Sequence, residues 1–115
     1  MKLYNVSAYV SKTDFDNSLS FSIESDDFPD ATKADFEQTY ANLNEKLRAL
    51  FDDLEVRDAS AEHTKELTLF EMGKDTEAPV ISPNSPQYYI SLKYKEEVED
   101  GNTSWSLFVY FMSKK

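Results

Sequence analysis

A histidine, hydroxyls and carboxylates crowded into one short stretch are the raw material of nucleophilic catalysis, and "SAEHTKE", residues 60–66, holds all of them. His63 is the only histidine of the chain, with Glu62 and Lys65 beside it and Ser60 and Thr64 as the nearest hydroxyls. A histidine acting as general base needs a carboxylate to orient it and a nucleophile within reach. Neither hydroxyl stands in an elbow or triad context, so the sequence gives no ground for catalysis there. The absence of cysteine removes thiolate nucleophiles, disulfides and cysteine-based zinc or iron-sulfur centres. With Gly73 and Gly101 the only glycines, a phosphate-cradling loop cannot be built.

Carboxylate pairs are frequent: Asp26-Asp27, Asp52-Asp53, Glu96-Glu97 and Glu99-Asp100. Acid-base chemistry needs two carboxylates in different environments, one of them desolvated, which acids in turns seldom achieve. "EVEDGN" sets acids before a glycine but lacks the alternating ligands and the closing Glu of a calcium loop. The expectation is a protein that is not an enzyme and carries no cofactor or metal.

Position makes the acids more informative. Glu24, Asp26, Asp27, Asp30, Asp35 and Glu37 surround the start of a predicted helix, where free N–H groups and the positive end of the dipole stabilise anions. Asp52, Asp53, Glu55 and Asp58 gather at its other end, where each is disfavoured by about 0.3–1 kcal/mol and only Arg48 and Arg57 are near. An arrangement that breaks a local rule without a folding gain points to function. These four acids, with Glu62 and Glu66 as extensions, form the candidate electrostatic docking surface.

The elements that must position them follow from periodicity. Tyr4, Val6, Ala8 and Val10 alternate with polar residues, and Leu19, Phe21 and Ile23 do so after the turn "TDFDN", which predicts an N-terminal hairpin. Phe36, Tyr40, Leu43, Leu47, Leu50 and Leu54 recur every three or four residues and predict an amphipathic helix over 31–54, with Thr32 and Asp35 spaced as a capping box and Asp30 an equally good N-cap. Strands are predicted around Leu67 to Met72, over Tyr88 to Lys95 and from Ser104 to the C-terminus, with "EEVEDGNT" as the last turn. Between them the stretch 74–87 holds Pro79, Pro83 and Pro86, which cannot serve in a ladder, and reads as a Pro-rich loop. The expected architecture is a single α+β domain over 1–115. Its mostly antiparallel sheet has about five strands, in the chain order β-β-α-β-β-β, with one long helix on one face of a two-layer sandwich.

Such a sheet has a second face, and the last strand is apolar on both sides. Trp105, Leu107, Val109 and Phe111 serve one face; Phe108, Tyr110 and Met112, joined by Leu3, Tyr9, Phe70 and Tyr89, serve the other. Tyr89, Phe108 and Tyr110 are therefore the candidate anchors of a partner, and Asp52, Asp53, Glu55 and Asp58 its electrostatic guides. A formal charge of −10 repels phosphate backbones and anionic lipid and favours a basic partner. The expectation is a small acidic protein-binding inhibitor, cytoplasmic and without a membrane partner. In general profile it is of the phage-encoded blocker or immunity type, able to stand in for nucleic acid against a nuclease or another nucleic-acid-binding protein. Two alternatives are a homodimer through the aromatic face, and single-strand nucleic-acid binding through Tyr89, Lys93, Lys95 and Tyr110.

Overall fold

The structure is a computed structural model that describes residues 7–14 and 16–115. Leu3, Tyr4 and Val6 of the expected first strand, and Phe15 of the first turn, lie outside the described residues. The predicted hairpin forms from β1 (Ser7–Lys12) and β2 (Asp16–Glu24), paired antiparallel with Val10 opposite Leu19. Thr13 closes its turn through its backbone N–H to the Asp16 carbonyl, 2.9 Å, and its hydroxyl to the Asp16 carboxylate, 2.6 Å.

A short 3-10 turn, Ser25–Asp27, leads into the helix α1 (Lys33–Leu50). Thr32 and Asp35 make the expected capping box, with the Thr32 backbone N–H donating to Asp35 Oδ2 at 2.8 Å. That N–H holds the Asp35 carboxyl below its ordinary range. The helix stops earlier than periodicity suggests. Phe51 N–H closes the last turn on the Leu47 carbonyl, and the next residues are Asp52 and Asp53, poor helix formers placed at the negative end of the dipole. Leu50 is consequently 74 % exposed, while Phe51 and Leu54 fold back against the core.

Among the described residues the sheet has six strands where about five were expected. The additional one is β3 (Glu55–Ser60), followed by β4 (Thr64–Phe70), β5 (Tyr88–Glu99) and β6 (Asn102–Lys114). All neighbours are antiparallel in the order β1-β2-β6-β5-β4-β3. Edge position explains why "EVRDAS" carries no alternating apolar signal: β3 pairs only with β4, and charged side chains protect such an edge against foreign strands. The broad last turn contracts to two residues. Asp100 and Gly101 have φ of 52° and 79°, the paired left-handed conformation that joins tightly twisted strands.

Register assigns the faces. Phe21, Val109, Leu92 and Leu67 lie side by side on the face that carries α1, as do Leu19, Phe111, Ile90 and Leu69 in the next row. The helix lies over β5 and β6, with the Phe36 ring centroid 6.2 Å from that of Trp105 and Tyr40 6.3 Å from Tyr94. Burial pushes the Tyr94 phenol up to about 12, aided by the charges of Glu96 and Glu37. Among the described residues, no helix is long and apolar enough to cross a membrane.

Candidate functional site

Strand parity brings the three predicted anchors to one side, the face away from α1. Ser91 pairs with Tyr110, Lys93 with Phe108 and Tyr89 with Met112, so Tyr89, Lys93, Phe108 and Tyr110 share that face. Tyr89 and Tyr110 meet edge to face with centroids 6.1 Å apart. Burial raises the Tyr110 phenol above its ordinary value, with the Asp16 charge adding to it. Phe108 stays 38 % exposed, and Tyr9 of the edge strand, two strands from Tyr110, is 70 % exposed. Ser91 lies buried between these side chains, and among the described residues its hydroxyl has no hydrogen-bond partner.

The Pro-rich loop claims the rest of this face. It is tied down by Asp75 N–H to the Asn84 carbonyl (2.8 Å) and by Glu71, whose carboxylate accepts from the N–H groups of Gln87 and Tyr88. Lys114 Nζ reaches the carbonyls of Ser82 and Ser85. Phe70, one of the second-face aromatics, is wholly buried, with the Arg57 guanidinium 4.5 Å from its ring centroid and Arg57 also bonded to Thr76 of the loop. The open area thus narrows to Tyr9, Tyr89, Phe108 and Tyr110, with Lys93 and Lys95 alongside.

The four acids divide. Asp52 and Asp53 are exposed in the turn after α1, and among the described residues neither forms an ion pair. Glu55 sits opposite Phe70 in register, on the side of Tyr89. Asp58 falls on the other face, because three residues along a strand reverse the side, and there it pairs with Arg48 of α1 and accepts from Asn44. Glu62 is exposed, and Glu66 lies beside Lys93 on the open face.

His63 does have its carboxylate, from a strand that sequence proximity could not reveal. Its Nδ1 lies 3.0 Å from Glu96 Oε1. Glu96 Oε2 accepts the Trp105 indole N–H at 2.7 Å and lies 3.2 Å from Lys33 Nζ, leaving its side chain 9 % exposed. The indole, His63 and Lys33 together hold its carboxyl down at about 2. The signal was present in the sequence: Ile90, Leu92, Tyr94 and Glu96 form one inward series, so Glu96 is an acid at a core position. Neither Ser60 nor Thr64 bonds the imidazole through its hydroxyl among the described residues.

No known protein family, curated protein or solved structure matches this chain. Among the described residues, no group of three or more His, Cys, Asp or Glu side chains is placed to hold a metal ion. What the arrangement offers chemically is a rigid aromatic and hydroxyl-rich surface with free carboxylates at one end.

Proposed function

We propose that this chain is a non-enzymatic protein-binding module, a small acidic inhibitor that occludes a basic, nucleic-acid-handling partner. The observation that carries this reading is the uncovered aromatic face: Tyr9 and Phe108 are exposed on a continuous sheet whose opposite face already holds the helix and core. Exposed apolar patches on a monomeric surface mark interaction sites, and tyrosine or phenylalanine clusters are the usual anchors. Asp52, Asp53 and Glu55 supply the field that draws a cationic partner, within a net charge of −10. Asp58 belongs to the fold through Arg48.

The test is capture from a cell lysate on the immobilised chain, washed at low and high salt. Replacing Asp52 and Asp53 with Asn and Glu55 with Gln weakens retention and flattens its salt dependence, while each helix-end replacement raises stability by about 0.3–1 kcal/mol through relief of the dipole. Asp58→Asn leaves retention intact and lowers stability by about 0.2–1 kcal/mol, the range for an exposed ion pair. Retention that ignores the triple replacement removes these acids from the mechanism.

A second reading has one observation in its favour. Lys93 and Lys95 project on the same face as Tyr89 and Tyr110, an aromatic and cationic combination on which single-stranded nucleic acid can stack. Lys95 is already held by Glu97 at 2.6 Å, which weakens that case. Titration with a short oligonucleotide at low salt, followed by tyrosine emission, decides between the two.

A further inference from the structure

The helix side of the sheet is only partly roofed. A helix with its side chains is about 10 Å across and covers about two strands spaced 4.8 Å apart. α1 lies over β5 and β6, so the β1–β2 side of this face receives no helix. There the surface sinks into a groove of about 340 Å³ between the end of α1 and the outer strands, lined by Val10, Leu19, Phe51, Ile90, Phe111 and Tyr88 with no charged side chain in its wall. Val10 is 61 % and Tyr88 54 % exposed, and Leu50 adds a further exposed apolar group at the helix end. Phe51 of the groove wall is followed in the chain by Asp52 and Asp53, exposed and without an ion pair among the described residues.

The geometry points to this groove as the seat of a basic amphipathic helix of the partner, laid beside α1 with its apolar face on Val10, Leu19 and Phe111 and its lysines or arginines against Asp52 and Asp53. The assignment rests on the basic-partner part of the functional reading above and gives that partner a shape, but it seats the partner on the helix side of the sheet, opposite the Tyr9 and Phe108 face. The groove is bounded by the end of α1 and floored by strands, a setting for helix-in-groove recognition. Charge selects the occupant. An uncharged trough with Asp52 and Asp53 following its Phe51 wall and Lys12 two residues beyond Val10 at the other end, in a chain of net charge −10, rewards a ligand that is apolar on one face and mainly cationic on the other, and repels a second copy of the same chain.

The probe is a synthetic fourteen-residue Leu/Lys amphipathic peptide, with a Leu/Glu peptide of the same pattern as control, measured by fluorescence anisotropy with the full chain. The Leu/Lys peptide binds saturably, and the Leu/Glu peptide at least about tenfold more weakly. Val10→Asp lowers affinity for the Leu/Lys peptide by about tenfold or more. That loss cannot be electrostatic, because the substitution adds a negative charge to an already acidic chain, and Val10 is exposed on an edge strand, so folding is preserved. Asp52→Asn with Asp53→Asn weakens binding and flattens its salt dependence. An affinity unchanged by Val10→Asp overturns the assignment, as does equal binding of both peptides, or a concentration-dependent dimer abolished by Val10→Asp. Phe108→Asp run in parallel separates the two readings: loss with Phe108→Asp alone moves the seat to the open aromatic face and keeps the inhibitor reading, whereas indifference to all these variants sinks both.

Discussion

Phe36→Ala lowers the stability of this chain by about 3–5 kcal/mol, the cost of emptying a fully buried aromatic site. Phe36 has no exposed surface, and its ring lies 6.2 Å from that of Trp105 at the point where α1 meets β6. The helix is the only cover over the β5–β6 part of the sheet among the described elements, so the surroundings cannot close over the void without moving the whole helix. A domain of this size is stabilised by about 5–15 kcal/mol in total, so the substitution removes a large part of it. Urea unfolding checks this: the midpoint falls while the slope stays constant, because the same surface is exposed on unfolding. Leu50→Ala, on the same predicted stripe but 74 % exposed, changes stability by no more than about 0.5 kcal/mol. Similar losses at both positions would contradict the helix end assigned here.

That contrast locates what the sequence makes legible. The stripe Phe36, Tyr40 and Leu47 predicts the buried face, because that signal is local and repeats within a few turns, whereas the sequence offers both Asp30 and the Thr32–Asp35 box as the helix start and the structure takes the box. The helix end was not legible, since Leu54 continues the spacing of Leu47 and Leu50 although α1 ends at Leu50 and the chain is by then turning toward β3. β3 itself is invisible to periodicity: this charged edge strand has only Val56 and Ala59 as apolar residues, three apart and so on opposite faces, and owes its conformation to the partner β4. The second-face assignment of Tyr9, Phe70, Tyr89, Phe108, Tyr110 and Met112 follows from strand parity alone, and the register agrees. What parity cannot give is coverage. Whether Phe70 is a contact surface or a core residue depends on a loop that joins it through Arg57 and Thr76. The acid cluster is divided for a different reason: adjacency in sequence places Glu55 and Asp58 together, and strand parity sends them to opposite faces.

The second large effect concerns Glu96, which ties β5, β6, α1 and the β3–β4 turn together through Trp105, Lys33 and His63. Its carboxyl sits at about 2 in the folded chain against an ordinary 4.5, chiefly because the Trp105 indole N–H donates to the charged form, with His63 and Lys33 adding to it. A lowered folded value means that the unfolded chain takes up the proton first. The contribution of Glu96 is therefore complete above about 4.5 and disappears as the pH falls toward about 2. Glu96→Gln keeps the shape and an acceptor for the indole but deletes the charge, leaving Lys33 and His63 without their anion. Above the upper limit the variant unfolds at a clearly lower temperature than the parent. Below it the two curves converge, because the parent loses the charge that the variant never had. Other carboxylates titrate in the same range, yet they are common to both chains and cancel in the difference. A margin that persists unchanged to pH 2 would mean that Glu96 acts through packing alone.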